Sequence, residues 1–224
     1  MRVIRDHKLR SKQTTSPRTH GPLPALILAF DGVVADTLGL RADGIAEALR
    51  DDQIDFDRAE ILAALPGRSL YEAVDLLTAT TDTVLIELAT LRAQQWVSTR
   101  MAQGVVIIEF ARTMLSSVAT GTRIALRADS LRRDVEPLLR LAGLDDAFTF
   151  VRCIDDSPKL TGATCLESAY AEITRRLDLL REPAERTAIE ADHRVAVVAR
   201  HYVGHVHVEP ASGPSALRAP EPSE

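Results

Sequence analysis

A short apolar run that ends in Asp-Gly is the feature that most restricts how this chain can fold. Residues Ala25–Phe30 read ALILAF and are followed at once by Asp31-Gly32. A run of this length, with a turn signal directly after it, is typical of a strand that is buried on both faces. Such strands belong to parallel sheets, whose faces are covered by helical crossovers. The run therefore predicts an α/β fold.

Strands and helices alternate in the second half of the chain. Four further segments have strand character, the last more weakly: Arg123–Ala128, Phe148–Cys153, Thr187–Ala191 and Tyr202–Val208. Apolar stripes of helical period lie over residues 107–118, 130–142 and 166–180, with Ser130 as the expected N-cap and Gly143 as the stop of the middle helix. This alternation predicts a parallel sheet with helices on both faces.

Residues 38–104 contain no convincing strand. Val84, Leu88 and Leu91 share one face of the last of four predicted helices. The four helices are expected at about residues 40–50, 58–65, 69–78 and 83–101. An all-helical block thus interrupts the α/β domain directly after its first strand. We therefore predict a helical cap, residues 38–104, inserted into a core made of two stretches, residues 21–37 and 105–208.

Positive charge is concentrated in residues 1–20, which we call the basic arm. The arm holds one acid, Asp6, and six basic residues, which we regard as candidates for partner binding: Arg2, Arg5, Lys8, Arg10, Lys12 and Arg18. Its net charge is therefore +5, whereas the whole chain carries -5. We expect the arm to be disordered unless bound and to favour a protein partner with an acidic surface. The alternative is an organellar transit peptide.

Bulk properties narrow the classes of function. A net charge of -5 argues against nucleic acid as the main partner. No apolar run reaches the length of a membrane span, and no secretory signal is visible. Two cysteines give no disulfide framework, so we expect a cytoplasmic protein, or one of an organelle matrix or stroma if the arm is a transit peptide. Residues 209–224, rich in Pro, Ser and Ala, are expected to form a disordered tail.

Five segments, in order along residues 24–208, resemble one family. ALILAFDGVVADT (residues 25–37) resembles the first motif of the haloacid dehalogenase superfamily, a hydrophobic run followed by Asp-x-Asp-Gly-Val-x-x-Asp-Thr/Ser. LPGRSLYEAVDLL (residues 65–77) resembles the cap segment of its helical-cap branch, which includes β-phosphoglucomutase-like and phosphoglycolate-phosphatase-like proteins. The other three segments are GVVIIEFARTMLSSVATGTRIALRADS, LLRLAGLDDAFTFVRCIDD and PAERTAIEAD. The resemblance implies a Rossmann-like core with a parallel sheet and an inserted helical cap.

The resemblance also implies a reaction through an aspartyl phosphate and identifies the positions that would carry it. In the family the first Asp of the motif attacks phosphorus and the second serves as general acid and base, while Mg²⁺ is held by the nucleophile and by acids after the fourth strand. The nucleophile position is Ala29 here, and the second acid is Asp31. The family's phosphate-binding Ser/Thr becomes Ala128, and its paired acid becomes Ala191-Asp192.

Some groups that bind phosphate or metal in such a site remain. The remaining phosphate-binding candidates are Gly32, Arg127, Ser130 and Lys159. Asp31 and Asp192 are the residual metal candidates, and Mg²⁺ is expected only if some phosphatase activity persists. Other readings stay open for single residues, because Asp31 next to glycine suits a turn and Asp36-Thr37 suits a helix cap.

Three hypotheses follow from the missing nucleophile. The first is a catalytically inactive member of the fold that acts as a structural or interaction subunit of a protein assembly. The second is a sensor that binds a phosphorylated metabolite without turnover, and the third is a weak Mg²⁺-dependent sugar-phosphate phosphatase. Outside these positions we interpret Cys153 and Trp96 as core residues, and His201, His205 and His207 as a surface or partly buried cluster rather than a zinc site.

Overall fold

The computed structural model describes residues 25–118, 121–156, 162–177 and 186–209. Its centre is a parallel five-stranded sheet in the order β3-β2-β1-β4-β5. The strands are β1 Ala25–Ala29, β2 Arg123–Arg127, β3 Phe150–Arg152, β4 Arg186–Glu190 and β5 His205–Val208. The basic arm, Lys159 and residues 210–224 lie outside the described residues, so the predictions made for them are carried forward below.

Both faces of the sheet are covered, as the continuous apolar run of β1 predicts. Leu26 and Leu28 point into one core, and Ala25 and Ile27 point into the other. This alternation follows from the two-residue period of a strand, which sends neighbouring side chains to opposite faces. The predicted α/β fold class is confirmed.

Eight α-helices occur in the described residues. Four of them follow β1 without an intervening strand and are called the cap helices here: α1 Leu38–Arg50, α2 Arg58–Ala64, α3 Leu70–Thr78 and α4 Thr83–Ala102. The others alternate with the strands: α5 Glu109–Ser117, α6 Arg132–Ala142, α7 Gly162–Arg176 and α8 His193–Ala199. Two cap helices begin with reciprocal capping boxes, at Asp57 with Glu60 and at Ser69 with Glu72, which explains why their starts are sharply defined.

The apolar face predicted for α4 is not the face that the helix buries. Val84, Leu88 and Leu91 are each more than half exposed. The buried residues of α4 are Ile86, Ala89, Ala93, Val97 and Met101. A glycine in α1, Gly44, explains the choice: a Cβ there would lie 2.7 Å from Cγ2 of Val97. The two helices thus approach closely through their small residues, and the larger side chains of α4 are left outside.

Other element ends also differ from the expectation. Helix α6 begins at Arg132, with Leu131 at its N-cap position, and Ser130 does not cap it. The predicted strand over residues 202–208 begins only at His205, because residues 200–204 form turns after α8. The seven-residue helix α8 is not predicted by the sequence pattern. No helix in the described part of the chain is long and apolar enough to cross a membrane.

Candidate functional site

The carboxyl ends of β1 and β2 lie side by side at the edge of the sheet below the cap helices. Ala29, at the end of β1, is opposite Arg127, at the end of β2. Ala29 and Ala128 are both buried. The two positions where the resemblance implies a nucleophile and a phosphate-binding hydroxyl therefore offer methyl groups inside the protein.

Asp31, the acid of the motif that remains, accepts hydrogen bonds from three protein groups. The hydroxyls of Thr37 and Ser130 each donate to its Oδ1 at 2.7 Å, and the backbone N–H of Asp129 donates to its Oδ2 at 2.7 Å. Neither hydroxyl is then free for the cap role considered for Thr37 or Ser130, and neither residue caps its helix with its side chain. A carboxylate held by three donors in this way is fixed and shielded from water.

A buried arginine of the first cap helix supplies positive charge to Asp31. Nη1 of Arg41 lies 3.8 Å from Oδ1 of Asp31, and its Nη2 donates to the carbonyl of Arg68 at 2.7 Å. Arg41 is 1% exposed, and its Nη1 has no hydrogen-bond partner among the described residues. The guanidinium thus provides a built-in cation beside the acid, since a buried carboxylate is costly unless it is paired. We call Asp31, Thr37, Arg41, Asp129 and Ser130 the Asp31 cluster.

The turn after Asp31 depends on a glycine. Gly32 has φ of +82°, and a Cβ added to it would lie 2.6 Å from Cδ1 of Leu38 and 2.9 Å from Cβ of Ala191. Its N–H donates to the carbonyl of Ala35 at 2.9 Å. Glycine is required here both for the left-handed conformation and for the space. Because its N–H serves the turn, Gly32 has no free backbone donor for a phosphate.

A second buried network joins the ends of β2 and β4 through Arg127. Its guanidinium binds Glu190 through Nε at 3.1 Å and Nη2 at 2.7 Å, and it also contacts Asp129. The hydroxyl of Tyr170 donates to Glu190 from α7. Burial lowers the pKa of Arg127, but the charges of Asp129 and Glu190 raise it by more. The pKa of Arg127 therefore stands well above its ordinary value. Arg127 therefore stays charged and is held by two carboxylates.

Burial has the opposite effect on the pKa of Asp129 and on that of the Tyr170 phenol. It raises the pKa of Asp129, against the lowering effect of Arg127. Burial and the charge of Glu190 raise the pKa of Tyr170 well above its usual value. The phenol is thus a permanent hydrogen-bond donor to Glu190.

The cap is attached to the core directly over these networks. The N–H of Gly67, in the segment between α2 and α3, donates to Oδ2 of Asp129 at 3.2 Å. A second link is formed by Gln94 and Ser98 of α4, which each donate to Oδ2 of Asp134 in α6 at 3.0 Å. Gly67 has φ of +69° and packs closely on Val195. The cap segment therefore lies against the core and closes the site.

A small cavity lies between the cap segment and the core. A cavity lined by Arg127, Asp129 and Arg152 has water-sized free space of ≈ 10 Å³, about the room that one water molecule needs. Both cysteines, Cys153 and Cys165, also line it. Burial raises the pKa of Cys153 to about 12, so its thiol is unreactive and suits the core role expected for it.

Two side chains that the sequence singled out lie elsewhere or are not described. Asp192 is the N-cap of α8 and accepts a hydrogen bond from the N–H of Arg194 at 2.6 Å. The acid that does enter the site from β4 is Glu190, two residues earlier, which the motif pattern does not indicate because that pattern concerns the acid pair after the strand. Arg41 was also missed, since nothing local distinguishes it from other helix arginines. Lys159 lies outside the described residues.

The histidines do not form a metal site in the described part of the chain. His205 and His207 are exposed on one face of the edge strand β5. Among the described residues, no group of three or more His, Cys, Asp or Glu side chains is placed to hold a metal ion. Trp96 is partly buried against the cap core, with the Arg100 guanidinium 5.0 Å from its ring centre.

The residues at the first-motif site do not fit Mg²⁺. The ion requires several oxygen ligands in near-octahedral geometry. Ala29 offers a methyl group, and both oxygens of Asp31 are already used by protein donors. The Arg41 guanidinium adds repulsion 3.8 Å from Oδ1 of Asp31. We therefore derive no metal-dependent step for this site.

Comparison with solved structures identifies the fold. The chain superimposes on a haloacid dehalogenase-like hydrolase from Bacteroides fragilis with a TM-score of 0.71 and 18% identity, covering 82% of this chain and 86% of that one. It matches CbbY from Rhodobacter sphaeroides, solved in complex with phosphate, with a TM-score of 0.68 and 19% identity, covering 85% and 87%. A predicted phosphoglycolate phosphatase from Haemophilus somnus matches with a TM-score of 0.66 and 16% identity, covering 84% and 85%.

No protein-family model matches the sequence, and no curated protein matches it. The fold is that of the haloacid dehalogenase-like phosphatases and hydrolases, as the sequence motifs indicated. At these identities the likeness establishes the fold alone, so the activity must be argued from the site.

Proposed function

On this haloacid dehalogenase-like fold, we propose a catalytically inactive protein that acts as a structural or interaction subunit of a protein assembly. The observation that carries the proposal is the state of the first motif. Its nucleophile position is a buried methyl group, and its remaining acid is held by three protein donors and a buried arginine.

Phosphoryl transfer through this site lacks its reactive group. A covalent mechanism needs a nucleophile that can attack phosphorus, and the methyl group of Ala29 cannot. The acid–base role needs a carboxylate within reach of the leaving oxygen, whereas Asp31 faces protein hydroxyls and an N–H. The weak-phosphatase alternative therefore lacks a nucleophile at the position that the resemblance implies.

A sensor of a phosphorylated metabolite is the second candidate, and the same contacts weigh against it. Its expected donors Arg127 and Ser130 are bound to Glu190 and Asp31. A phosphate would have to displace carboxylates from both residues. Lys159, outside the described residues, is the donor that this alternative still has.

The proposed partner is another protein with an acidic surface, and the basic arm is the segment proposed to contact it. Positive charge of +5 in twenty residues favours association with such a surface and accelerates it. The test is to purify the tagged full chain gently from its native host and identify what accompanies it by mass spectrometry. We expect a stoichiometric protein partner that is lost when residues 1–20 are deleted. A chain that purifies as an isolated monomer, both with and without residues 1–20, would contradict the proposed role.

Loss of catalysis is tested separately by restoring the missing group. We expect no Mg²⁺-dependent hydrolysis of p-nitrophenyl phosphate by the natural chain or by Ala29→Asp. A restored aspartate would still face Asp31 held by its donors, and it would add a second buried carboxylate. Turnover by the natural chain that Asp31→Asn abolishes would refute the proposal. Turnover by Ala29→Asp alone would show that the rest of the site remains competent, contrary to the geometry.

A further inference from the structure

The exposed face of α4 is an apolar surface with nothing packed on it in the described structure. Val84, Leu88 and Leu91 are 62%, 52% and 64% exposed. Their spacing of four and three residues places them along one face of the helix. α3 packs against α4, and its Leu76 is 54% exposed. We call Val84, Leu88 and Leu91 the cap stripe.

Acidic side chains accompany the cap stripe. Glu87 is exposed and lies one helical turn from Val84 and from Leu91. Asp75 and Asp82, also exposed, are next to Leu76 and at the start of α4. Residues 69–99 contain one basic residue, Arg92. Its guanidinium is bound to Asp52, which follows the end of α1. The cap as a whole, residues 38–104, has eleven acidic and six basic residues, a net charge of -5.

A segment that fits this surface must combine apolar side chains with several positive charges. The first twelve residues of the chain, MRVIRDHKLRSK, have that composition. They hold five basic residues against one acid, and their apolar members include Val3, Ile4 and Leu9. We propose that residues 1–12 bind the cap stripe of the same molecule, with the apolar side chains on Val84, Leu88 and Leu91 and the basic ones beside Glu87 and its acidic neighbours.

The connection is long enough for this contact. Residues 13–24 join the proposed segment to the start of β1 at Ala25. Twelve extended residues span at most about 43 Å. A compact domain of about this size has a radius of gyration of about 16 Å. At full extension the link is therefore longer than twice this radius, so its length permits the contact.

The proposed contact describes the arm before any partner arrives. It does not depend on whether the first-motif site is catalytic. Covering the cap stripe removes apolar surface from water, which is favourable in proportion to its area. A partner with an acidic surface would compete with the cap for the same basic residues. The arm would then be released only by a partner that binds it more strongly than the cap does.

The test is photo-crosslinking in the full chain. A benzophenone amino acid replaces Leu9, the sample is irradiated, and crosslinked peptides are identified by mass spectrometry. We expect crosslinks to residues 83–95, reduced about tenfold by Leu88→Asp and also reduced by Glu87→Lys or by 1 M salt, since salt screens exposed charges. Leu141→Asp is the matched control, because Leu141 is 78% exposed on α6 of the core. It should leave the yield unchanged.

Two outcomes would overturn the proposal. Crosslinks spread over the whole surface, or reduced equally by Leu88→Asp and Leu141→Asp, would mean that the cap stripe does not hold the segment. The second outcome is a contact between two molecules, and irradiating a mixture of ¹⁵N-labelled and unlabelled chains tests for it. Crosslinks between labelled and unlabelled chains would assign the contact to a second copy rather than to the same molecule.

Discussion

Removing the carboxylate of Asp31 should destabilise the protein strongly, because the groups that contact it are buried. The side chain accepts from the hydroxyls of Thr37 and Ser130 and from the N–H of Asp129, and it faces the guanidinium of Arg41. In Asp31→Ala all four groups remain buried and lose this acceptor. An uncompensated buried charge and unsatisfied donors are among the few causes of large mutational effects.

The expected cost can be estimated from the kind of contact that is lost. Removing one partner of a buried ion pair typically costs about 3–5 kcal/mol of the free energy of unfolding. For a chain of this size each kcal/mol lowers Tm by about 2–4 °C. A loss of about 4 kcal/mol thus corresponds to a fall in Tm of about 8–16 °C. Asp31→Asn, which keeps the shape and one acceptor, should fall between this variant and the natural chain.

Urea denaturation and thermal melting of both variants measure this effect. Asp43→Ala is the matched control, because Asp43 forms an exposed ion pair with Arg58 at 2.9 Å with both side chains more than 40% accessible. Such pairs contribute at most about 1 kcal/mol. If Asp31→Ala cost no more than Asp43→Ala, the Asp31 cluster would not be the buried network described here. The first-motif site would then not be closed by buried contacts to Asp31.

Two further predictions concern the cap contact and the acids near the site. Gly67→Ala should lower the free energy of unfolding by more than Gly143→Ala. The backbone strain is similar, since φ is +69° at Gly67 and +67° at Gly143, but a Cβ at Gly67 would lie 3.1 Å from Cγ2 of Val195, whereas a Cβ at Gly143 meets nothing within 4 Å. Equal losses in urea titrations would contradict the close packing of the cap segment. Burial raises the pKa of Asp156, but hydrogen bonds from Arg132 and from a backbone N–H outweigh it, so the pKa lies below its ordinary value of 3.8. A depressed pKa contributes stability above pH 3.8 that is lost as pH falls through the folded-state value. Asp156→Asn should therefore be less stable than the natural chain at pH 7 and equally stable at the lowest pH, whereas a constant difference from pH 7 to pH 2 would exclude this linkage.

Much of the sheet was predictable because each strand carries its own local signal. β1 is apolar on both faces and ends at a turn dipeptide, so burial on both sides and the following loop can be inferred without neighbours. α4 was predictable as a helix but not in its orientation. It has two faces with apolar residues, and the close approach to Gly44 of α1 decides which one is buried. Helix α8 escaped prediction because HRVAVVA is a short apolar run, which periodicity alone cannot assign to helix or strand.

Much less of the site could be predicted, and the reason is sequence distance. Asp31 was recognised from its motif, but Ser130, one of its donors, is 99 residues away along the chain. Glu190 and Arg127 are 63 residues apart and meet only because β4 and β2 flank β1 in the sheet. Such pairs leave no mark on local composition. They become visible when the strand order is known.

The sequence by itself determined that residue 29, the nucleophile position that the resemblance implies, carries a methyl group in any fold. It also determined the α/β class, because local apolar patterns allow few alternatives. The tertiary structure alone decided which groups surround that position and Asp31. It brought Arg41 of the first cap helix to Asp31, tied Arg127 to Glu190, and attached Gly67 of the cap to Asp129. A buried charge must find a partner wherever the folded chain supplies one, and that partner is set by packing between distant segments.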